Sequence, residues 1–188
     1  MIPIRSDCLA ALREYGVPDN IIGHSIVVER VALFLADELT HAGNVTDPAL
    51  VSAGALLHDI AKMRGLREGK PHGELGAEVA EELGFIEVSP IVGQHVRLVE
   101  YADNGRIDEA KLVNYADKRV NHEQIVTLDE RFDYLLDRYG SASSEAGERI
   151  GQMKRLTKAI EKQIFARLEI APGDIKRLIE EHYGFYSR

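Results

Sequence analysis

A histidine and an aspartate stand side by side at His58-Asp59, inside the run Ala55-Leu56-Leu57-His58-Asp59-Ile60-Ala61-Lys62. The surrounding Leu50, Val51, Ala53, Ala55, Leu56, Leu57 and Ile60 read as a largely buried helix. The pair is therefore predicted to be buried with them. A buried carboxylate without a partner is costly, so Asp59 needs a strong one. A metal ion is such a partner, and imidazole is a typical companion ligand. A helix-internal hydrogen bond is the plainer alternative. Lys62 follows one helical turn later, close to the same face. A cation there is placed to hold an anion such as phosphate.

His24 lies upstream in an apolar segment, and Asp117 lies downstream in Val113-Asn114-Tyr115-Ala116-Asp117-Lys118-Arg119. The order H…HD…D resembles the HD superfamily of metal-dependent phosphohydrolases, over roughly the first two thirds of the chain. That resemblance implies a first metal site of His24, His58, Asp59 and Asp117, with Asp59 and Lys62 as the catalytic residues. The competing reading is four satisfied polar groups in a helical core.

His72, in Pro71-His72-Gly73-Glu74, and His95, on a stripe with Val92 and Val99, lie between the motif and Asp117. Taken singly, each reads as a solvated or core histidine. The fuller order H…HD…H…H…D resembles the two-metal branch of the superfamily. That branch includes symmetrical dinucleoside tetraphosphate hydrolases and cyclic dinucleotide phosphodiesterases. It implies a second ion on His72 and His95, bridged by Asp59, whose carboxylate has two oxygens. Gln94 occupies the position of a paired histidine and no Gly-Tyr-Pro occurs, which counts against the phosphodiesterases, whereas Pro71-His72-Gly73 with Gly76-Ala77 and Tyr115-Ala116-Asp117 resemble the tetraphosphate hydrolases more closely.

Imidazole and carboxylate donors suit one or two divalent transition ions: iron, manganese, nickel, cobalt or zinc. Cys8 is far from the motif, which argues against a thiolate zinc site. Bound metal screens an anionic phosphate and lowers the pKa of its water. Lys62, Arg67, Arg97 and Arg119 are the candidate substrate-binding cations. Arg64 and Lys70 read as surface charges, and His41, His122 and His182 as surface histidines. The expected substrate is a small phosphorylated molecule, a nucleotide or dinucleoside polyphosphate. A single-metal 5'-nucleotidase, a non-catalytic nucleotide-binding regulatory module and a di-iron oxygenase are the other readings.

Composition narrows the class. The 188 residues are 45% hydrophobic and 29% charged, ordinary for one globular domain. A net charge of −8 argues against non-specific nucleic-acid binding, which needs a basic surface. No apolar run approaches the ~20 residues of a membrane span. The single cysteine permits no internal disulfide and fits a reducing cytoplasm.

Helical patterning runs nearly throughout and must position these side chains. Helices are predicted over Asp7 to Tyr15, from Asp19 to Gly43 with His24 inward, and from an Asp47 N-cap with Pro48 to near Gly65, carrying His58-Asp59. Others run from Pro71-His72 to Gly84, from Ser89-Pro90 through His95 and Val99, and from Asp108 through Asp117. A Thr127–Glu130 capping box opens a helix ending at Gly140. Two more cover about Glu145 to Glu169 and a stretch ending at Tyr183, with no strong strand signal. The expected fold is all-α: an HD-type helical bundle over residues 1–140, with a C-terminal helical extension, 141–188, packed on it. The extension is expected to be a packing arm or a homodimer contact.

Overall fold

The computed structural model describes residues 1–96, 98 and 106–183. Ten α-helices follow in order: α1 (Arg5–Glu14), α2 (Asp19–His41), α3 (Pro48–Leu57), α4 (Lys62–Glu68), α5 (His72–Glu82), α6 (Ser89–Gln94), α7 (Glu109–Lys118), α8 (Leu128–Tyr139), α9 (Ser144–Phe165) and α10 (Ile175–Tyr183). A two-residue hairpin, β1 (Val120–Asn121) with β2 (Gln124–Ile125), joins α7 to α8. The fold is all-α, as the periodicity implies.

The capping residues set the helix starts. Asp47 accepts from the amides of Ala49 and Leu50, ahead of Pro48 at the first helical position. Asp108 accepts from the Lys111 amide, and Thr127 and Glu130 form the reciprocal capping box.

α3 is apolar all round and lies between two hydrophobic clusters. Val51 and Ala55 face α2, α7, α9 and α10, whereas Ala53, Leu56 and Leu57 face α1 and α5. The second half of α3, Ala53 to Leu57, is buried throughout, a fixed reference for whatever hangs from its end, and His58-Asp59 hang there. Ile150, Ile160 and Ile164 of α9 and Ile175 and Ile179 of α10 share the first cluster with α2 and α7, so the C-terminal helices are integral to the core.

The helix predicted to run to Gly65 stops at Leu57. The His58 side chain binds the Ala55 carbonyl at 2.7 Å, and the Ile60 amide turns back to Leu57. That carbonyl would otherwise receive the Asp59 amide of a continuing helix. α6 stops at Gln94 for the same reason: His95 Nδ1 lies 2.7 Å from the Val92 carbonyl. Neither break carries a glycine or proline signal.

Cys8 is fully buried. Burial, with Glu29 and Asp7 adding to it, pushes the thiol up to about 12. At pH 8 only about one thiol in ten thousand is then ionised. Thiol–disulfide exchange with an aromatic disulfide reagent, which forms a mixed disulfide and releases the reagent's thiolate, is expected to be at least about a thousandfold slower in native protein than in denaturant. A stoichiometric burst from native protein would contradict this packing.

Candidate metal centre

Four imidazoles and two carboxylates converge at the ends of α3 and α6. His24 comes from the first turns of α2, His58-Asp59 from the turn after α3, His72 from the start of α5, His95 from the end of α6 and Asp117 from α7. Close helix approach makes this convergence possible. A side chain at Gly76 would strike Val92, so its absence lets α5 lie against α6. Gly65 likewise clears the Lys70 carbonyl and His72.

The rings form a chain, with centroids 5.4 Å apart for His24–His58, 5.0 Å for His58–His95 and 4.9 Å for His72–His95. Donor atoms fall into two sets, His24–His58–Asp59 and Asp59–His72–His95, each spanning no more than 4.8 Å. Asp59 belongs to both. Its Oδ2 lies 3.4 Å from His58 Nε2, and its Oδ1 lies 3.2 Å from His72 Nε2 and 3.7 Å from His95 Nε2. Asp117 Oδ1 adds contacts of 3.0 Å to His24 Nε2 and 3.7 Å to His58 Nε2.

Backbone carbonyls orient three of the rings. His24 Nδ1 lies 2.8 Å from the His122 carbonyl, and His58 and His95 each bind the carbonyl three residues back. A carbonyl only accepts, so each Nδ1 carries a proton, and each Nε2 is turned to the centre, where it is free to act as a ligand in the neutral ring. His122, at the hairpin tip, adopts φ +53° to present its carbonyl.

His58 Nε2 is the test of what belongs there. It is buried with no hydrogen-bond partner among the described residues, and it faces carboxylate oxygens of Asp59 and Asp117. Lone pairs opposed in this way repel unless a cation sits between them. Burial pushes the His58 imidazole down, but the Asp59 and Asp117 charges outweigh it and carry it above its ordinary value. Against the same burial, His58 holds the Asp59 carboxyl well below the usual range, and Lys118 and His24 do so for Asp117. Burial pushes His95 down to about 4, leaving it neutral. Four inward Nε2 atoms and two carboxylates held ionised, at this spacing, make a donor set that fits a divalent metal ion, which would take the place of a proton on His58.

Lys62 Nζ binds Asp59 Oδ2 at 2.7 Å. The centre opens onto a cavity of about 590 Å³ lined by His24, Asp59, Lys62 and His72, with α8 supplying a further wall. That volume lies within the ~300–1,000 Å³ usual for small-molecule sites.

Two predicted substrate cations lie elsewhere. Arg119 is buried, and its guanidinium is taken up by the Val126 carbonyl, the Tyr115 hydroxyl and the Pro172 carbonyl. Two residues along a helix turn a side chain by about 200°, away from the face of Asp117. Arg67 is exposed beside Glu68, off the stripe of Lys62, Gly65 and Leu66 that lines the cavity. Arg97 lies outside the described residues.

Other groups were not singled out from the sequence. Lys118 Nζ binds Asp117 Oδ2 at 2.6 Å and the His95 carbonyl at 3.1 Å, and Asn114 Nδ2 donates to the same carbonyl at 2.8 Å. Asn114, Asp117 and Lys118 share one helical face by their i, i+3, i+4 spacing, a signal the sequence did carry. His122 is exposed, as expected of a surface histidine, but it acts through its backbone, which no side-chain pattern reveals.

The family model described as HD domain matches residues 21–121, a span holding all six converging side chains. Among curated proteins, an uncharacterized protein of Methanocaldococcus jannaschii is 37% identical over 76 residues, 40% of this chain and 44% of its own. A tRNA (cytidine(56)-2'-O)-methyltransferase of Thermoplasma volcanium is 36% identical over 97 residues, 51% of this chain and 27% of its own. The protein of that name from Picrophilus torridus is 29% identical over 151 residues, 73% of this chain and 41% of its own. The chain spans less than half the length of each of these relatives. No solved structure matches it. With the family model covering more than half its length, the chain belongs to the HD domain family.

Proposed function

We propose that this protein is a metal-dependent phosphohydrolase that cleaves a phosphate ester or anhydride bond in a nucleotide or dinucleoside polyphosphate. The observation that carries the reading is Asp59 shared between two donor sets, with a histidine pair on each side. His24, His58, Asp59 and Asp117 would hold one divalent ion, and Asp59, His72 and His95 a second. Bound ions would supply Lewis-acid stabilisation of phosphoryl oxygens and a water of lowered pKa.

The chain's own groups do the rest. The three carbonyl-bound imidazoles stay in one tautomer, so no ring turns during turnover. Lys62 is the mobile cation, with a side chain 38% exposed toward the cavity. It is placed to leave Asp59 for a phosphoryl oxygen as negative charge develops there. Ile21 and Leu135 on the cavity wall limit water around the reacting group. The two tRNA-directed relatives support a substrate of nucleotide chemistry; methyl transfer belongs to proteins of which this chain spans 27% and 41%.

The test is phosphate release from a panel of nucleotides and dinucleoside polyphosphates, with manganese, iron, nickel, cobalt or zinc supplied in turn. Lys62→Ala is expected to lower kcat/KM on the best substrate by about 100-fold, in line with loss of a charge-stabilising donor. Its metal content should match wild type. No release from any substrate with any ion would overturn the proposal, and parallel loss of metal and activity in Lys62→Ala would make Lys62 a structural partner of Asp59.

A further inference from the structure

α8 lies beyond residue 121, outside the span matched by the family model, yet it forms a wall of the same cavity. Its residues Arg131, Tyr134, Leu135 and Arg138 follow i, i+3, i+4, i+7 spacing and line the cavity together, while Leu128 and Phe132 of the same helix are buried in the core. The two arginines are held but not neutralised. Arg131 Nη1 donates to Asn121 Oδ1 at 2.9 Å, and its guanidinium lies 5.8 Å from the centre of the Tyr134 ring. Arg131 Nε is buried with no hydrogen-bond partner among the described residues. Among the described residues, Arg138 donates only to tyrosine hydroxyls, 3.1 Å to Tyr139 and 3.3 Å to Tyr134.

Among the described residues, neither guanidinium has a carboxylate partner, although the chain has 31 acidic against 23 basic side chains. Arginines at its periphery do pair, as Arg64 with Glu68 and Arg177 with Glu181 show. Lys70 faces the same cavity from an exposed pair with Glu68 at 3.5 Å, and Arg131 is near enough to Lys62 for the two charges to repel. The cavity is thus a cationic island in an acidic protein. A single phosphoryl group at the metal centre, met by the ions and Lys62, leaves Arg131 and Arg138 unmatched.

We infer that Arg131 and Arg138 of α8, with Lys70, form an anion subsite for a substrate phosphate other than the one being cleaved. The guanidinium fork matches phosphate oxygens in pairs, and Tyr134 fixes both forks, one against its ring and one at its hydroxyl. The substrate class is then a polyphosphate, not a monophosphate. This rests on the phosphohydrolase reading for which phosphate occupies the metal centre.

Calorimetric titration of metal-loaded protein with uncleavable phosphonate analogues of a nucleoside monophosphate and diphosphate tests it. Wild type should bind the diphosphate analogue at least about tenfold more tightly, since each charge-assisted hydrogen bond supplies roughly that factor. Arg131→Gln/Arg138→Gln should bring the diphosphate affinity down to that of the monophosphate analogue, whose own affinity should not move. Arg138 is exposed, so Arg138→Gln alone keeps the fold and should show part of the loss. Equal wild-type affinities, or an undiminished preference in folded Arg138→Gln and the double variant, would overturn the subsite. Phosphate release from the nucleotide and dinucleoside polyphosphate panel is read in parallel. Its absence with every ion removes the hydrolase reading and leaves the affinity result standing.

Discussion

Asp59→Asn is expected to strip both ions at once and to lower phosphate release by at least about 10³-fold, the scale of losing a central electrostatic group and the charge that holds the metals. Asp117→Asn should be milder in metal content, costing the ion on the His24 side and leaving the one on His72 and His95. The contrast follows from geometry, because Asp59 belongs to both donor sets, whereas Asp117 contacts only the histidines of one, His24 and His58. The fold should survive, since Lys62 is partly exposed and can turn to solvent when its partner loses charge. Elemental analysis of the two variants beside wild type decides the matter. Full metal content in Asp59→Asn, or identical loss in both, would break the shared-ligand arrangement. Wild type that never exceeds one ion under saturating supply would recast His72 and His95 as substrate-binding groups of a single-metal enzyme.

The largest effect on stability is expected at Arg119. Its guanidinium bonds the Val126 carbonyl at 2.7 Å, the Tyr115 hydroxyl at 2.6 Å and the Pro172 carbonyl at 2.9 Å, with Glu161 at 3.6 Å. It ties the end of α7 to β2, α9 and the turn before α10. Arg119→Ala leaves buried acceptors unpaired and Glu161 without its cation, a loss of about 3–5 kcal/mol for breaking a buried charged network. At roughly 2–4 °C per kcal/mol for a chain of this size, Tm should fall by about 6–20 °C. Arg119→Lys should recover little, because an ammonium cannot reach three partners set around a planar fork. Below the transition, metal content and phosphate release should equal wild type. A variant that melts like wild type but cannot bind substrate would restore Arg119 to the site.

The sequence carried the centre better than its surroundings. His24, His58-Asp59, His72, His95 and Asp117 were recognisable because side-chain type, order and apolar context all pointed one way. Helix starts were readable from Asp47-Pro48, Asp108 and Thr127–Glu130, where a local side chain does the capping. The ends of α3 and α6 were not, because the terminators are His58 and His95 themselves, acting through a bond that periodicity does not encode. Arg119 was misplaced for want of its helical rotation, and Arg67 likewise. Arg131 and Arg138 look like any solvated face of an amphipathic helix until the bundle turns that face onto the cavity. The hairpin at residues 120–125 is too short to show alternation, yet it supplies the His122 carbonyl.

The unpartnered His58 nitrogen has a thermodynamic corollary. A fold that turns bare imidazole nitrogens and carboxylates toward one another carries a local conflict which the rest of its core must outweigh. An ion that resolves the conflict would bind the native state, where the donors converge, more tightly than the unfolded chain, where they do not. Folding and ion uptake then obey mass action as one linked equilibrium, in which a free ion at a hundred times its Kd adds about 2.7 kcal/mol. If the centre takes up an ion as proposed, the melting temperature becomes a property of the protein together with its ion supply, and the metal-free and loaded forms would sit on different stability curves.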